Sequence, residues 1–532
     1  MNSGEYAVSA FKKTERNFIR LSFSSAYGKL TESRAEVTSM IKLGKEKTEM
    51  LSEKTENKPG KTIAVCILLI SIVFIIVFST TTSPLYPNNY GRDSALYRFF
   101  GASVLRGKTL YKEIWDNKGP ALFLIQAVGA INGTRNTALN FTYLLQILST
   151  FITLFFMYRV SLLQRDNRKG SLSFFLSVFC ALAVLSQTME GGNLSEEWSL
   201  PFISISLYLF AAYAARAGES SLHPRKYAFI HGLCFGILAF IRVNNAVSIC
   251  AGLIVIGINL LIKRQWKNLF ENILFGLLGI ITVTLPICIW FLRKNALDDM
   301  IYAVFLYNLK YVGGESHKTY SGNDLIIRFL PVTVSFLVML LRLLRNKTVR
   351  LIDCLAFMIL ACNAAMLWHS NIYLHYFTIC VPVLMLILIL YIRIPDIPAV
   401  LLCLILSGFF IRTDINTVPD LKRLHNLDEL YTSADRIPED EKKSAIAIWM
   451  SPEIYLNTGI EPCIRYCAYQ FVHFPVVPEM LDEFIHELRT RQPKWIIVLK
   501  GYEGIYEEAG KILNENYHFE FSDADANFYR IN

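Results

Sequence analysis

Charged residues are scarce in this sequence, and long apolar runs are plentiful. Only 18% of its 532 residues are charged, whereas 53% are hydrophobic, and the mean hydropathy is +0.36. The apolar residues fall into blocks of roughly 16 to 25, which is the length that crosses a hydrocarbon core as a helix. The short alternating segments of a membrane barrel are absent. The composition therefore excludes a soluble enzyme and predicts a polytopic α-helical membrane protein.

Other features that the sequence lacks argue against a transporter and against a nucleic-acid-binding protein. The sequence has no repeated halves and no ionisable residues at mid-bilayer depth, which coupling sites in transporters usually need. A net charge of +9 is compatible with a nucleic-acid partner, but Lys and Arg are concentrated in the N-terminal tail and in short loops, the pattern that sets membrane orientation. We therefore expect no nucleic-acid partner. A transporter or flippase of lipid-linked sugars and a non-catalytic membrane scaffold stay as alternatives to an enzyme.

Window length predicts about eleven transmembrane helices and one short apolar segment that does not cross. The predicted spans are 63–82, 138–163, 171–187, 198–216, 227–241, 244–262, 268–292, 325–344, 351–368, 373–393 and 397–412. The segment "GPALFLIQAVGAI" at 119–131 is too short to cross and is interpreted as an interfacial or re-entrant helix. If this segment does not cross the membrane, five basic loops lie on the same side as the Lys-rich N-terminus, as the positive-inside rule requires.

This topology divides the chain into three parts and gathers the unusual polar residues on one face. Residues 1–60 are predicted to be a cytosolic polar tail, mostly disordered. Residues 61–413 form the transmembrane module, whose first external loop is 83–137, and residues 414–532 lie outside the cytosol at the cell membrane. A loop with His317, Lys318 and Tyr320 on the outer face is interpreted as a mobile substrate flap.

The first external loop carries the most specific motif. Its sequence, "GRDSALYRFFGASVLRGKTLYKEIWDNKGP", resembles the C-type superfamily of membrane glycosyltransferases, in particular the bacterial relatives of protein O-mannosyltransferases and of the lipid A aminoarabinose transferase. The segments "GGNLSEEWSLPF" (191–202), "AFIRVNNA" (239–246) and "YLHYFTICVP" (373–382) extend the resemblance. It departs at Lys112 and Glu113, where an Arg-Asp or similar pair is common.

The resemblance implies transfer of a sugar from a polyprenyl-phosphate carrier to an acceptor glycan, lipid or protein, with inversion at the anomeric carbon. Asp93 is then the expected general base, because an acceptor hydroxyl is a poor nucleophile until a carboxylate takes its proton. The expected donor-phosphate ligands are Arg92, Lys118, Arg242 and His375. The carboxylates assigned to the acceptor or metal side are Asp116, Glu196 and Glu197. Expected supporting residues are Tyr97, Tyr111, Asn244 and Tyr376, and no cofactor is implied beyond a divalent metal that stays open.

Several of these residues also have structural interpretations. Asp93 precedes "SALYRFF" and is a good N-cap residue, and an acid at the head of a helix, such as Glu196 or Glu197, complements its N-terminus. Asp116 lies beside Lys118, where an ion pair across the turn is an alternative to acceptor binding. Arg242 can belong to a turn between two helices, and His375 with Tyr376 can form an interfacial aromatic anchor.

The polar C-terminal region has the pattern of a small α/β domain. The runs "SAIAIWM" and "KWIIVLK" predict strands, "PEMLDEFIHELRTRQ" and "GIYEEAGKILNENY" predict helices, and "HFEFSDADANFYRI" predicts one closing strand. The region lacks a Gly-rich phosphate loop, an HExxH motif and a nucleophile elbow. We therefore expect it to bind the acceptor or to support the fold, and not to carry out chemistry. Cys463 and Cys467 are interpreted as two isolated thiols, with a disulfide or half of a metal site as the alternatives.

Overall fold

The computed structural model describes residues 60–86, 91–131, 141–163, 167–216, 222–314, 322–369, 373–392 and 432–532, with isolated positions at 401, 404 and 405. The N-terminal tail, most of the span predicted at 397–412, the boundary at 413/414 and the flap with His317, Lys318 and Tyr320 lie outside the described residues. Residues 61–532 form one compact unit.

Apolar helices account for the first part of this unit. Their bounds are α1 (Lys61–Phe78), α2 (Arg92–Leu105), α3 (Pro120–Gly129), α4 (Thr142–Ser161), α5 (Asn167–Thr188), α6 (Ser195–Arg216), α7 (Arg225–Arg242), α8 (Val247–Ile262), α9 (Trp266–Arg293), α10 (Leu297–Ile301), α11 (Tyr307–Gly314), α12 (Gly322–Asn346), α13 (Leu351–Trp368) and α14 (Val381–Tyr391). A 3₁₀ turn, Val243–Ala246, joins α7 to α8, and another, Leu374–Cys380, leads into α14.

Seven segments of the described chain are long and apolar enough to cross a membrane: α1, α4, α6, the α7–α8 segment Arg225–Ile262, α9, α13 and Leu374–Tyr391. The spans predicted at 171–187 and 325–344 are helical too, as parts of α5 and α12. The prediction of a polytopic helical membrane protein is confirmed.

Helices α7 and α9 run parallel, which shows that α8 crosses back between them. A Cβ atom on Gly232 would lie 2.0 Å from the carbonyl oxygen of Gly276, and one on Gly236 would lie 3.1 Å from the side chain of Val283. The contacts thus advance along both helices in the same direction, and glycine permits this close approach. Arg242 is extended, with φ −161° and ψ 116°, and ends α7. The α7–α8 segment is therefore two helices of opposite direction, as the sequence predicts.

The short helix α3 begins and ends on one face. The backbone N–H of Gly119 donates to the carbonyl of Ile241 at the end of α7, at 3.1 Å. At the other end, Gly129 packs against the first residue of α4. Those neighbours share a face, because Gln146 near the start of α4 and Asn245 beside the end of α7 both bond to the start of α6. This geometry agrees with a helix that does not cross.

The C-terminal region is an α/β domain. Its elements are β1 (Ala445–Ile448), α15 (Glu453–Thr458), α16 (Gln470–Val476), α17 (Glu479–Arg491), β2 (Trp495–Leu499), α18 (Glu507–Asn516), β3 (Tyr517–Ser522) and β4 (Ala526–Ile531). The strand order is β1-β2-β4-β3, with β1 parallel to β2 and the other pairs antiparallel. The two predicted helices and the strands at "AIAI" and "WIIVL" are present.

The prediction of a single closing strand is wrong, because this segment forms a hairpin. The carboxylate Oδ1 of Asp523 accepts from the backbone N–H groups of Asp525, at 3.0 Å, and Ala526, at 2.7 Å. Such side-chain bonds to nearby backbone N–H groups stabilise turns. The polar "SDAD" therefore separates β3 from β4.

The α/β domain packs directly on the first external loop. The backbone N–H of Trp115 donates to the carbonyl of Arg465 at 3.1 Å, and the rings of Phe99 and Tyr455 stack with their centroids 4.9 Å apart. Arg465 also pairs with Asp299 at 2.9 Å. These contacts hold α15 against α2 and the segment around Arg465 against the first external loop.

Candidate functional site

A cavity of about 390 Å³ lies where the first external loop, the α7–α8 turn, α11, the segment before α14 and α16 meet. Its lining combines acidic, basic and aromatic side chains. The lining residues are Arg92, Asp93, Asp116, Asn117, Lys118, Gly119, Arg242, Val243, Asn244, Val304, Asn308, Tyr311, His369, Tyr373, His375, Tyr376, Tyr469, Phe471, Val472 and His473. Side chains from the first external loop, the α7–α8 turn, the segment before α14 and the C-terminal domain therefore meet in one cavity.

Asp93 lies in the first turn of α2, which begins at Arg92 after Gly91. It is therefore inside the helix and is not its N-cap residue. Gly91 has φ +63°, a conformation that glycine adopts without a Cβ penalty. Oδ1 of Asp93 accepts a hydrogen bond from the Tyr469 hydroxyl of the α/β domain at 2.5 Å. Asp93 and Arg92 both line the cavity.

Asp116 also lines the cavity, but it is only 2% exposed. Its Oδ1 accepts from the backbone N–H of Lys118 at 2.8 Å, whereas the Lys118 ammonium donates to Oδ1 of Asn117 at 2.8 Å. The proposed side-chain ion pair is thus replaced by a backbone hydrogen bond that shapes the turn. Burial raises the pKa of Asp116 above its usual value, and the charge and backbone N–H of Lys118 oppose that rise.

The glycine of the "KGP" motif allows the loop to lie directly against the backbone of α7. A Cβ atom on Gly119 would lie 2.0 Å from the carbonyl oxygen of Phe240. Tyr111, with φ +66°, donates its hydroxyl to the carbonyl of Lys118 at 2.7 Å. Tyr97 packs against Phe123 with a centroid separation of 6.3 Å. Both tyrosines are buried outside the cavity lining, so they hold the loop and do not face a substrate.

Arg242 is held in place by two neighbours. Its Nη1 donates to Oε1 of Glu196 at 2.5 Å, and its guanidinium lies 4.2 Å from the Tyr376 ring centroid. Glu196 is 2% exposed and also accepts from the Ser195 hydroxyl at 2.9 Å. Glu196 therefore lies behind Arg242, as its counter-ion, and not on the cavity wall where the sequence predicts an acceptor-side or metal-side carboxylate.

Glu197 is buried in a polar network at the start of α6. Its carboxylate accepts from the backbone N–H of Asn193 at 2.7 Å and from Nε2 of Gln146 at 2.9 Å. Asn193 itself bonds to Ser94, the neighbour of Asp93, at 2.9 Å. Glu197 does not line the cavity. Its assignment to the acceptor side is corrected to the capping alternative.

His375, Tyr376 and Asn244 also line the cavity. Nδ1 of His375 lies 2.7 Å from a carboxylate oxygen of Glu190, and its ring stacks on Tyr373 with a centroid separation of 5.6 Å. Both contacts hold the imidazole in place in the turn before α14. In this geometry His375 can anchor that turn and also contact a ligand in the cavity.

Sequence reasoning missed the contribution of the α/β domain. Tyr469 and His473 line the cavity from α16 and the residue before it. Nδ1 of His473 lies 2.8 Å from the Tyr307 hydroxyl, and its ring meets Trp115 edge to face at 4.8 Å. Burial, and then the charge of Lys118, lower the pKa of His473 to about 3. The dense aromatic string "AYQFVHF" in a polar tail was the available signal.

The lining of the cavity contains more basic than acidic side chains, which favours binding of an anion close to the carboxylates. Three basic side chains, Arg92, Lys118 and Arg242, share the lining with Asp93 and Asp116. Within the described part of the chain, no three His, Cys, Asp or Glu side chains are grouped so that they could hold a metal ion. The residues present therefore fit a phosphate better than a divalent metal.

Residues 52–397, well over half of the chain, match the family described as "Putative competence-induced protein Ccs4 N-terminal domain". The chain belongs to the Ccs4 family. No curated protein matches it. The fold of this Ccs4-family chain is that of the C-type glycosyltransferases, as the first loop predicts.

Solved structures carry that fold assignment. The chain is similar to ArnT from Cupriavidus metallidurans bound to undecaprenyl phosphate, with TM-score 0.59, 12% identity and coverage of 88% of this chain and 98% of that one. The apo state of ArnT gives TM-score 0.60, 11% identity and the same coverage. The apo oligosaccharyltransferase of Archaeoglobus fulgidus gives TM-score 0.50 and 11% identity over 89% of this chain and 75% of that one.

Proposed function

We propose that this protein is an inverting membrane glycosyltransferase that transfers a sugar from a polyprenyl-phosphate donor to a hydroxyl-bearing acceptor. The observation that carries the proposal is the cavity itself, whose lining contains the carboxylate of Asp93 together with the basic side chains of Arg92, Lys118 and Arg242. A likeness in fold to ArnT bound to undecaprenyl phosphate supports the choice of donor.

Each group has a task in this reaction. Asp93 takes the proton of the acceptor hydroxyl while its oxygen bonds to the anomeric carbon. The bond from that carbon to the phosphate oxygen breaks, and the electron pair leaves with the lipid phosphate. Arg242, Lys118, Arg92 and His375 stabilise the charge that the phosphate gains, so a strong general acid is unnecessary.

The proposed orientation places this cavity on the extracytoplasmic face of the cell membrane and the N-terminus in the cytosol. Basic residues support it at the opposite helix ends: Arg159 at the end of α4, Arg264 after α8 and Arg350 before α13. Cytosolic loops are enriched in such residues. We keep the proposed division into 1–60, 61–413 and 414–532, with the last part outside the cytosol.

Comparison of envelope glycans tests the function. A strain that lacks the gene is complemented with the wild-type chain, with Asp93→Asn or with Asp116→Asn, and membrane levels are matched before the glycans are analysed by mass spectrometry. We expect one glycan to disappear in the deletion strain and wild type to restore it. The rate of labelled-sugar incorporation should fall about a hundredfold or more in Asp93→Asn, which removes the proton acceptor but keeps its size.

Asp116→Asn is the matched control. Because Asp116 holds the turn at Lys118, its loss should lower stability or acceptor affinity more than the rate of the chemical step. A well-folded Asp116→Asn variant with no transfer, beside an active Asp93→Asn variant, would move the base to Asp116. An unchanged glycan profile in the deletion strain would contradict the proposed function as a whole.

A further inference from the structure

The two carboxylates of the cavity are held in different ways. Oδ1 of Asp116 is bonded within its own turn, to the backbone N–H of Lys118. Oδ1 of Asp93 is bonded to Tyr469, which belongs to the α/β domain. Among the described residues Oδ2 of Asp93 has no hydrogen-bond partner, so this oxygen is available to a substrate proton.

Tyr469 occupies a backbone conformation that its neighbours must maintain. Its φ is +51°, in the left-handed region, which is unfavourable for a residue with a Cβ atom. The next residue, Gln470, is 1% exposed, and its side-chain amide donates to the carbonyls of Ala447 and Tyr466. The Gln470 side chain also accepts from the backbone N–H of Trp449 at 3.2 Å. The α/β domain thus holds the first residue of α16 in place.

The membrane part fixes the same segment from the other side. His473, one turn further along α16, meets the Tyr307 hydroxyl at 2.8 Å and the Trp115 ring at 4.8 Å. It is 4% exposed. Tyr469 therefore directly precedes two anchored residues of α16, and its hydroxyl reaches Asp93 from the start of a segment that is held on two sides.

We infer that Tyr469 is a positioning residue for the general base, so that the α/β domain completes the catalytic site. The inference rests on the proposed function. A carboxylate on a single Cβ atom rotates freely about its side-chain torsion, and a bond to Oδ1 restricts that rotation while Oδ2 accepts the proton of the acceptor hydroxyl. Burial and the charge of Asp93 raise the pKa of the Tyr469 phenol well above its usual value, so the phenol stays a donor.

Tyr469→Phe tests the inference because it removes one hydroxyl and keeps the ring. The initial rate of labelled-sugar incorporation in membrane vesicles should fall about ten- to a hundredfold, as expected for a hydrogen bond to a charged group. Binding of undecaprenyl phosphate, measured by titration of the purified full chain, should be unchanged.

A double variant separates positioning from a structural role. In an Asp93→Asn background, Tyr469→Phe should cause no further loss of rate, because the group through which it acts is already absent. Losses that multiply instead would overturn the inference. A wild-type rate for Tyr469→Phe beside an inactive Asp93→Asn would overturn it alone, whereas full transfer by Asp93→Asn would overturn the proposed base together with it.

Tyr466→Phe is the matched control in the same domain. Its hydroxyl donates to Oε2 of Glu483 at 2.7 Å, a tyrosine–carboxylate bond outside the cavity lining. This variant should lower the unfolding temperature and keep the wild-type rate per folded molecule. An equal fall in rate for Tyr466→Phe and Tyr469→Phe would show that domain stability alone explains both, and would overturn the inference.

Discussion

Arg242 should contribute to both donor affinity and stability, and the two contributions can be separated. Arg242→Ala removes a cation that lines the cavity, which should weaken binding of a lipid phosphate by about 1.5–3 kcal/mol, or about ten- to a hundredfold. It also leaves the carboxylate of Glu196, 2% exposed, without its partner at 2.5 Å. Breaking one side of a buried ion pair lowers the free energy of unfolding by about 3–5 kcal/mol.

A double substitution isolates the phosphate contact. In Arg242→Met with Glu196→Gln, both side chains keep much of their volume and no unpaired charge is buried, so most of the lost stability should return. Donor affinity should stay as low as in Arg242→Ala, because the cation is still absent. Arg242→Ala should therefore lower both stability and donor affinity, whereas the double variant should lower donor affinity alone.

The assay measures two quantities on the purified chain in detergent: the unfolding temperature, and the affinity for undecaprenyl phosphate by titration. Lys112→Ala serves as the control, because Lys112 is an exposed cation of the first external loop that bonds to the Asn295 carbonyl and does not line the cavity. If the double variant recovered affinity together with stability, Arg242 would act on binding only through the fold.

Three further predictions follow from single features. Gly119→Ala should prevent normal accumulation of folded protein in membranes, because its Cβ atom would lie 2.0 Å from a backbone carbonyl oxygen of α7, whereas Gly257→Ala, with nothing within 4 Å, should be neutral. The pKa of His473, about 3, lies below its ordinary 6.5, so its contribution to stability is intact above pH 6.5 and is lost as pH falls. The free energy of unfolding should therefore drop by about 2 kcal/mol between pH 6.5 and 5, and thermal unfolding of a His473→Gln variant should lack this drop. In intact cells, an impermeant maleimide should label Lys112→Cys and should reach Arg264→Cys only after permeabilisation; external labelling of Arg264→Cys would reverse the proposed orientation.

The sequence predicts the membrane part well because its signals are local. Apolar blocks define helices without reference to distant residues, and the length of "GPALFLIQAVGAI" alone separates a returning helix from a crossing one. The motifs of the first loop and of 239–246 assign Asp93, Lys118 and Arg242 to one site, and all three side chains line the cavity, although their roles stay predictions. These assignments needed only composition, spacing and the resemblance of short motifs.

The missed features depend on contacts between distant parts of the chain. Glu196 and Glu197 are adjacent in sequence, and only the helix geometry of α6 decides that one faces Arg242 while the other bonds back to Asn193. Tyr469 carries no motif, and its left-handed backbone is not encoded by residue type. The hairpin between β3 and β4 was missed for a different reason, since the capping pattern of Asp523 is local and was read as part of a strand.

The bond between Asp93 and Tyr469 joins positions 376 residues apart, which sets an order of events during synthesis. At about 5–20 residues per second, a ribosome needs roughly 19 to 75 s to pass from one to the other. In the later part of this interval, once residue 242 has been added, the growing chain contains Arg92, Lys118 and Arg242 but lacks Tyr469. A chain that ends before residue 469 should therefore bind the lipid carrier and turn it over poorly, so premature termination would produce a carrier-sequestering protein and not simply a missing one.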